Sequence, residues 1–227
     1  MSLGKRLINP SDSGGGGCSG TTGVLDIFGD NSCIAAYNLN GDALDLGGNY
    51  NGTWSGTESY GTGKYDEAAV FGGNASSSKI SGSCSFPSGN SRRTVSGWMY
   101  MTAAVTNEVG VIGYGDRRAN FNFTITVSST GKLGVRTGST LVTSGYTVPL
   151  NTWIHVMATY DSASTAIWAN GSMQNAQNFS LDTFSTPFTF GAGSDQFFEG
   201  KIDQVRIFNK YVNNAGQISQ LLNETPC

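Results

Sequence analysis

Charge is scarce in this chain of 227 residues. Thirteen lysines and arginines stand against sixteen acids, 13% of the sequence in all, and there is one histidine. Few segments therefore have the length and charge pattern of an amphipathic helix, and a mainly helical fold is disfavoured. Basic runs are missing beyond Lys5-Arg6 and Arg92-Arg93, and the net charge is −3, so the footprint of a nucleic-acid binder is absent. No stretch approaches the roughly 20 apolar residues that a helical membrane span needs. Only four cysteines occur, at 18, 33, 84 and 227, without the Cys-x-x-Cys spacing of a zinc site. They allow three disulfide pairings, and free buried thiols are equally admissible. No apolar h-region follows the basic pair between Met1 and Pro10, so no secretory signal is read there, and reduced intracellular thiols are favoured.

What is present points to strands. Glycine reaches 32 residues, and serine, threonine and asparagine are common, the composition of many short strands joined by tight turns. Aromatics at 11% argue against disorder despite the glycine. The length suits one β-sandwich domain. Residues 1–10 form an arm with Leu3, Leu7 and Ile8 around Lys5 and Arg6, and residues 11–23 have the composition of a flexible Gly/Ser linker. The expected division is arm and linker over 1–23 and one sandwich domain over 24–227. The arm reads either as an anchor to other proteins or as an ordinary disordered terminus.

The clearest segment is Trp153-Ile154-His155-Val156-Met157-Ala158-Thr159-Tyr160, followed by Ile167-Trp168-Ala169-Asn170-Gly171. Ile154, Val156, Ala158 and Tyr160 share one face of a strand, and Trp153, His155, Met157 and Thr159 share the other. Asn170-Gly171 marks a hairpin, because both residues tolerate positive φ. Further strands are expected at Cys33–Leu39, Ala68–Phe71, Ser78–Ile80, Thr94–Met101, Val109–Tyr114, Phe121–Val127, Lys132–Arg136, Thr140–Ser144, Phe188–Gly191 and Gly200–Phe208, with a long loop from Asn40 to Lys64. Only the tail looks helical, with Ile218, Leu221 and Leu222 on one face and Asn213 or Asn214 as N-cap. The predicted fold is all-β, a two-sheet antiparallel jelly-roll sandwich with a short C-terminal helix.

Five blocks in this order resemble the laminin-G-like branch of the concanavalin A-like lectin/glucanase superfamily, over roughly residues 32–224. They are Ile34 to Gly41 with Asp45 and Gly48-Asn49, Gly63 to Gly73, Thr94 to Trp98, Trp153-Ile154-His155-Val156 with Tyr160 and Asn170-Gly171, and Gly200 to Asn209. After Asn209 the chain departs from the family pattern, which leaves the helix cap open. Asp26 to Ser32 and Asn49 to Thr57 are similar to laminin-G-like modules in structural proteins of marine tailed bacteriophages. That resemblance implies a virion structural protein, a capsid decoration or tail fibre made in the host cytoplasm. It would be anchored to other virion proteins by its arm, as a homo-oligomer or otherwise, and could attach to a host-surface glycan. A secreted or surface carbohydrate-binding module is the alternative, and a remote glycoside hydrolase a second one.

Catalysis is not expected. Glycoside hydrolysis needs two carboxylates at fixed separation, and no strand here carries two acids on one face. His155 reads as structural. Asp203 shares a strand face with Val205 and Ile207, so it needs hydrogen bonds or a cation. The resemblance implies a structural calcium between the opening loop and the last strand, with Asp42, Asp45, Asn49 and Asp203 as oxygen ligands. Backbone N–H groups, or pairing with Arg206 or Lys201, are the alternative. For stacking on sugar rings the candidates are Trp54, Tyr60 and Tyr65 in the long loop and Phe197 and Phe198. Trp98, Trp153 and Trp168 are read as core.

Overall fold

The computed structural model describes residues 23–116, 121–178, 180–193 and 196–225. The arm candidates Leu3, Lys5, Arg6, Leu7 and Ile8, together with Cys18 and Cys227, lie outside the described residues. Within them, Cys33 and Cys84 are free buried thiols.

Two antiparallel sheets face each other, as the sequence predicts. One runs β13 (Ser172–Asn178), β12 (Ser164–Ala169), β11 (Trp153–Tyr160), β6 (Arg93–Met101), β15 (Glu199–Phe208), β4 (Glu67–Gly72) and β3 (Tyr60–Thr62). Its eighth strand, β1 (Cys33–Tyr37), also pairs with β15. The other sheet has seven strands, β10 (Thr140–Thr147), β9 (Lys132–Thr137), β8 (Asn122–Val127), β7 (Val109–Gly115), β14 (Phe188–Phe190), β5 (Lys79–Gly82) and β2 (Thr53–Ser55). Two short helices, α1 (Gly73–Ser76) and α2 (Ala215–Leu222), complete the chain. Asn214 caps α2, its side-chain oxygen accepting from the N–H groups of Gly216 and Gln217.

Register explains the core. Across the seven-stranded sheet, Trp54, Ile80, Phe190, Ile112, Ile125, Val135 and Val142 stand opposite one another in a single row. All but Trp54 are buried, and the row faces Tyr37, Met99, Val156 and Ile207 of the other sheet within one apolar cluster. Side chains alternate along a strand, so the neighbouring row must point outward. That row is Thr53, Ser81, Thr189, Gly113, Thr124 and Arg136. The parity argument also settles β11. Ile154, Val156, Ala158 and Tyr160 enter the core, and Trp153, His155 and Met157 face away from it.

The outer face of the eight-stranded sheet carries a cover. Ile27, Cys33, Ala36, Met157, Phe208, Val212, Ile218 and Leu221 form a second apolar cluster there, joined by Leu25, Phe28, Trp168 and Leu222. Phe28 stacks on Phe208 at 4.9 Å. Arg206 clamps this layer. Its guanidinium pairs with both carboxylate oxygens of Glu224, at 2.8 and 2.9 Å, and donates to the carbonyls of Val24 and Leu25. Both described ends of the chain are thereby tied to one face of the sandwich.

Candidate functional site

The outer face of the seven-stranded sheet is built differently. All three glycines of β7, Gly110, Gly113 and Gly115, point outward, since they lie opposite Thr126, Thr124 and Asn122 while the apolar residues between them enter the core. The missing side chains leave a trough. A Cβ on Gly113 would lie 2.4 Å from the Cα of Thr124, so no other residue fits without moving the neighbouring strand.

The trough opens into a groove of about 390 Å³, within the size range of small-ligand pockets. Its floor is Gly113, Thr124 and Thr189. Lys79 stands at one side and Asp116 and Pro187 at another, and the Ala192–Gly193 backbone forms a wall. That wall is fixed by a hydrogen bond from the Gly193 N–H to the Gln196 carbonyl, 2.7 Å, and by the bridge between Ala192 and Phe197. Beyond Gly115, whose absent Cβ would meet the Phe121 and Phe184 carbonyls, the rings of these two phenylalanines stack at 4.3 Å and 5°. Phe184 is 41% exposed, and neither ring belongs to the groove lining. The floor row continues to Arg136, whose guanidinium is held by Glu108.

Chemically the groove offers donors, acceptors and groups that are both. Lys79 donates, Asp116 accepts, and the threonine hydroxyls do either. Lys79 makes no ion pair among the described residues. Such a mixture matches a ligand that presents several hydroxyls. Among the described residues, the lining contains one carboxylate, Asp116.

The residues expected from the sequence fall elsewhere. Trp54 is half-buried, its indole N–H donating to the Tyr60 hydroxyl at 2.7 Å and its ring tilted on Phe71 at 5.1 Å. Those two aromatics make a knot at the sheet edges and not an open platform. Tyr65 packs edge-on against Trp98 at 6.3 Å. Phe197 is half-buried beside Asn74, which accepts its N–H. Phe198 has no exposed surface and packs on Phe71, so it leaves the set of ligand candidates. None of the five lines the groove. The tryptophans read as core also shift. Trp98, Trp153 and Trp168 all sit on the outer face of the eight-stranded sheet, because the core parity of β6, β11 and β12 belongs to their neighbours.

The oxygen ligands expected for calcium are not gathered into one site. Asp45 accepts four backbone N–H groups, from Ala36, Gly47, Asn49 and Tyr50, which use both of its oxygens. Those donors would repel a cation. Asp42 accepts from the Leu44 N–H, and Asn49 is an exposed loop residue. Asp203 accepts from Lys64 and Tyr65 at 2.8 and 3.0 Å through one oxygen, and its other oxygen has no partner. No three His, Cys, Asp or Glu side chains come together among the described residues. As a set these four residues do not fit an ion that takes six to eight oxygens.

His155 lies beneath this face, buried and edge-on to Trp98 at 5.4 Å. Burial pushes its imidazole down to about 3, so it is neutral at neutral pH. Burial pushes the Asp203 carboxyl up to about 7 in spite of its two N–H donors.

The family model described as the concanavalin A-like lectin/glucanases superfamily, Laminin_G_3, matches residues 72–219. No curated protein matches the chain. Among solved structures, domain 4 of AbnA, a GH43 extracellular arabinanase from Geobacillus stearothermophilus in complex with arabinotriose, superposes with a TM-score of 0.70 at 23% identity. The match covers 85% of this chain and 98% of that domain. The binding domain of Paraclostridial Mosquitocidal Protein 1 gives 0.66 at 16% identity, with 85% of this chain covered. The botulinum neurotoxin serotype C1 binding domain gives 0.65 at 16%, with 85% of this chain covered. This chain spans about half of each toxin binding domain, 52% in both cases.

Proposed function

The chain belongs to the concanavalin A-like lectin/glucanase superfamily, and from that premise we propose that it is a non-catalytic carbohydrate-binding module whose site is the groove over Gly113. The observation that carries this reading is the glycine-floored trough lined by Thr124, Thr189, Lys79 and Asp116, with the Phe121–Phe184 ring pair beyond Gly115. Sugar hydroxyls pair with both donors and acceptors, and a ring's C–H face packs on an aromatic. Non-catalytic action is supported by the lining's one carboxylate among the described residues, since hydrolysis uses two about 5–9.5 Å apart. The arabinotriose held by the AbnA domain supports a neutral oligosaccharide as ligand class.

The wider role is attachment. The described chain begins on the outer face of the eight-stranded sheet, where the Val24 and Leu25 carbonyls meet Arg206, while the groove opens on the opposite sheet. A module tethered through the Gly/Ser tract of residues 11–23 would present its groove away from its support. We place that support on a bacteriophage particle, where many copies would add avidity to a weak site.

The test is an array of neutral oligosaccharides that includes arabinotriose, read with the wild-type protein and with Thr189→Trp, which fills the groove from an outward-facing position. Binding by the wild type and its loss in the variant at unchanged melting temperature is the expected result. Equal binding by both proteins, or none by the wild type, overturns the reading.

A further inference from the structure

The outer face of the eight-stranded sheet has an end that the second apolar cluster does not reach. Register places Trp153, Tyr100 and Lys201 side by side there, and His155, Trp98 and Asp203 form the next row inward. Adjacent strands are about 4.8 Å apart, so Trp153, Tyr100 and Lys201 make a continuous strip across three strands. Trp153 and Tyr100 are half-buried, with ring centroids 5.4 Å apart and planes tilted by 53°. They are wide apolar surfaces, each partly exposed to solvent.

Two lysines overhang this strip. The Nζ of Lys201 donates to the Thr62 carbonyl at 2.8 Å and lies 5.6 Å from the centre of the Tyr100 ring. Lys64, two residues after Thr62, holds its Nζ 4.4 Å over Trp98 and 5.7 Å from the Tyr65 ring. Neither lysine meets a carboxylate within ion-pair distance among the described residues, whereas Arg136, Arg206 and Lys210 all do. Asp203, the acid of the next row inward, is buried and turned to the Lys64 and Tyr65 N–H groups. Two lysines without an ion pair among the described residues thus stand beside two half-buried aromatic rings, with Glu199, Asp66 and Glu67 as the exposed acids next to them in sequence.

We propose that this strip is a second binding surface, separate from the groove, for an acidic polysaccharide chain of the uronic-acid type. Sugar rings would lie on Trp153 and Tyr100, and their carboxylates would pair with Lys64 and Lys201. Charge complementarity selects an acidic chain over a neutral one. Two lysines are too few for a nucleic-acid track, which neutralises many phosphates. The inference does not rest on the groove, since the two sites occupy opposite faces of the sandwich.

The experiment is titration of the full chain with polygalacturonate at several sodium chloride concentrations, with single-stranded DNA as competitor. Wild type is expected to bind polygalacturonate, more weakly as salt rises. Lys64→Gln combined with Lys201→Gln removes both charges and should lower affinity about tenfold and flatten the salt dependence at unchanged melting temperature. Trp153→Ala should lower affinity by a similar factor, with Trp153→Phe restoring part of it. The groove-filling variant Thr189→Trp should bind polygalacturonate like wild type. Absence of binding, unchanged affinity in the lysine variant, equal loss in Thr189→Trp, or preference of the strip for single-stranded DNA would each overturn the proposal.

Discussion

The two outer faces of the sandwich are made from opposite materials. On the eight-stranded sheet, outward positions are large: Met157, Trp168, Phe208 and the buried Arg206, roofed by residues 24–28 and α2. On the seven-stranded sheet, outward positions in β7 are glycines facing Thr126, Thr124 and Asn122, with no second apolar cluster above them among the described residues. Large outward side chains demand a cover and so bind the chain ends to the fold. Small ones leave a trough that a ligand can enter. The roofed part of one face thus serves stability, and the proposed groove lies on the face without a roof.

The largest effect should come from breaking the cover. Arg206 and Glu224 are both almost completely buried, so removing one partner leaves a charge without compensation. Arg206→Met is expected to cost about 3–5 kcal/mol and to loosen both chain ends together. Chemical denaturation measures the loss, and hydrogen exchange across residues 24–28 and 215–224 locates it. A variant that keeps wild-type stability would show that the roof is not clamped by this pair.

Gly113 tests the other face. Gly113→Ala forces a Cβ to 2.4 Å from the Thr124 backbone, and the strain of separating β7 from β8 should cost about 1–3 kcal/mol. Gly145→Ala is the control, because a Cβ there meets nothing within 4 Å. It should be neutral or stabilising by up to about 1 kcal/mol. Equal melting temperatures for the two variants would mean that the trough floor tolerates side chains.

Much of the fold was legible because alternation and turn chemistry are local. The core face of Trp153–Tyr160, the turn at Asn170-Gly171 and the cap at Asn214 all follow from residues close in sequence. Strands β2 and β3, placed by the sequence in a loop, are three residues each and exist through pairing with β5 and β4. Strand β13 has almost no exposed-buried contrast and is held by its backbone bonds to β12. The candidate site was the least legible part. Gly113 and Gly115 alternate with apolar residues, but Gly110 is one residue out of phase. It joins their face only through the register shift between Gly110 and Ile112, which sequence parity does not reveal, and glycine in such a chain reads as turn punctuation. For Asp203 the sequence left hydrogen bonds or a cation open, and the Lys64 and Tyr65 N–H groups donate to one of its two oxygens.

The covered face also holds two groups that titrate against each other. Asp203, near 7 when folded against an ordinary 3.8, keeps its proton more tightly in the native state. Its contribution is complete below about pH 3.8 and is lost as pH rises through about 7. His155, near 3 against 6.5, contributes fully above about pH 6.5 and loses that contribution as pH falls toward 3. Between 3.8 and 6.5 the two slopes, each about 1.4 kcal/mol per pH unit, have opposite sign. Wild-type denaturation midpoints should therefore change little across that window. Asp203→Asn should leave a midpoint that rises with pH, and His155→Gln one that falls with pH. Parallel profiles for all three proteins would rule out the opposition.

The smallest effect on stability should be found at the groove floor, and that smallness is what makes it informative. Thr189 points outward in the central outer row, and no partner for its hydroxyl is seen among the described residues. Thr189→Val keeps the shape and the β-branched stem while removing one donor and acceptor, so stability should stay within about 0.5 kcal/mol of wild type. If the hydroxyl bonds a ligand, oligosaccharide affinity should fall about five- to tenfold, the size of one hydrogen bond of about 1–1.5 kcal/mol. A core position cannot give that combination, because there a lost contact lowers stability first. Calorimetric titration of Thr189→Val beside its melting curve thus separates the two faces at one atom. Affinity lost at constant stability assigns the seven-stranded face to recognition. Stability lost along with affinity would return Thr189 to the scaffold.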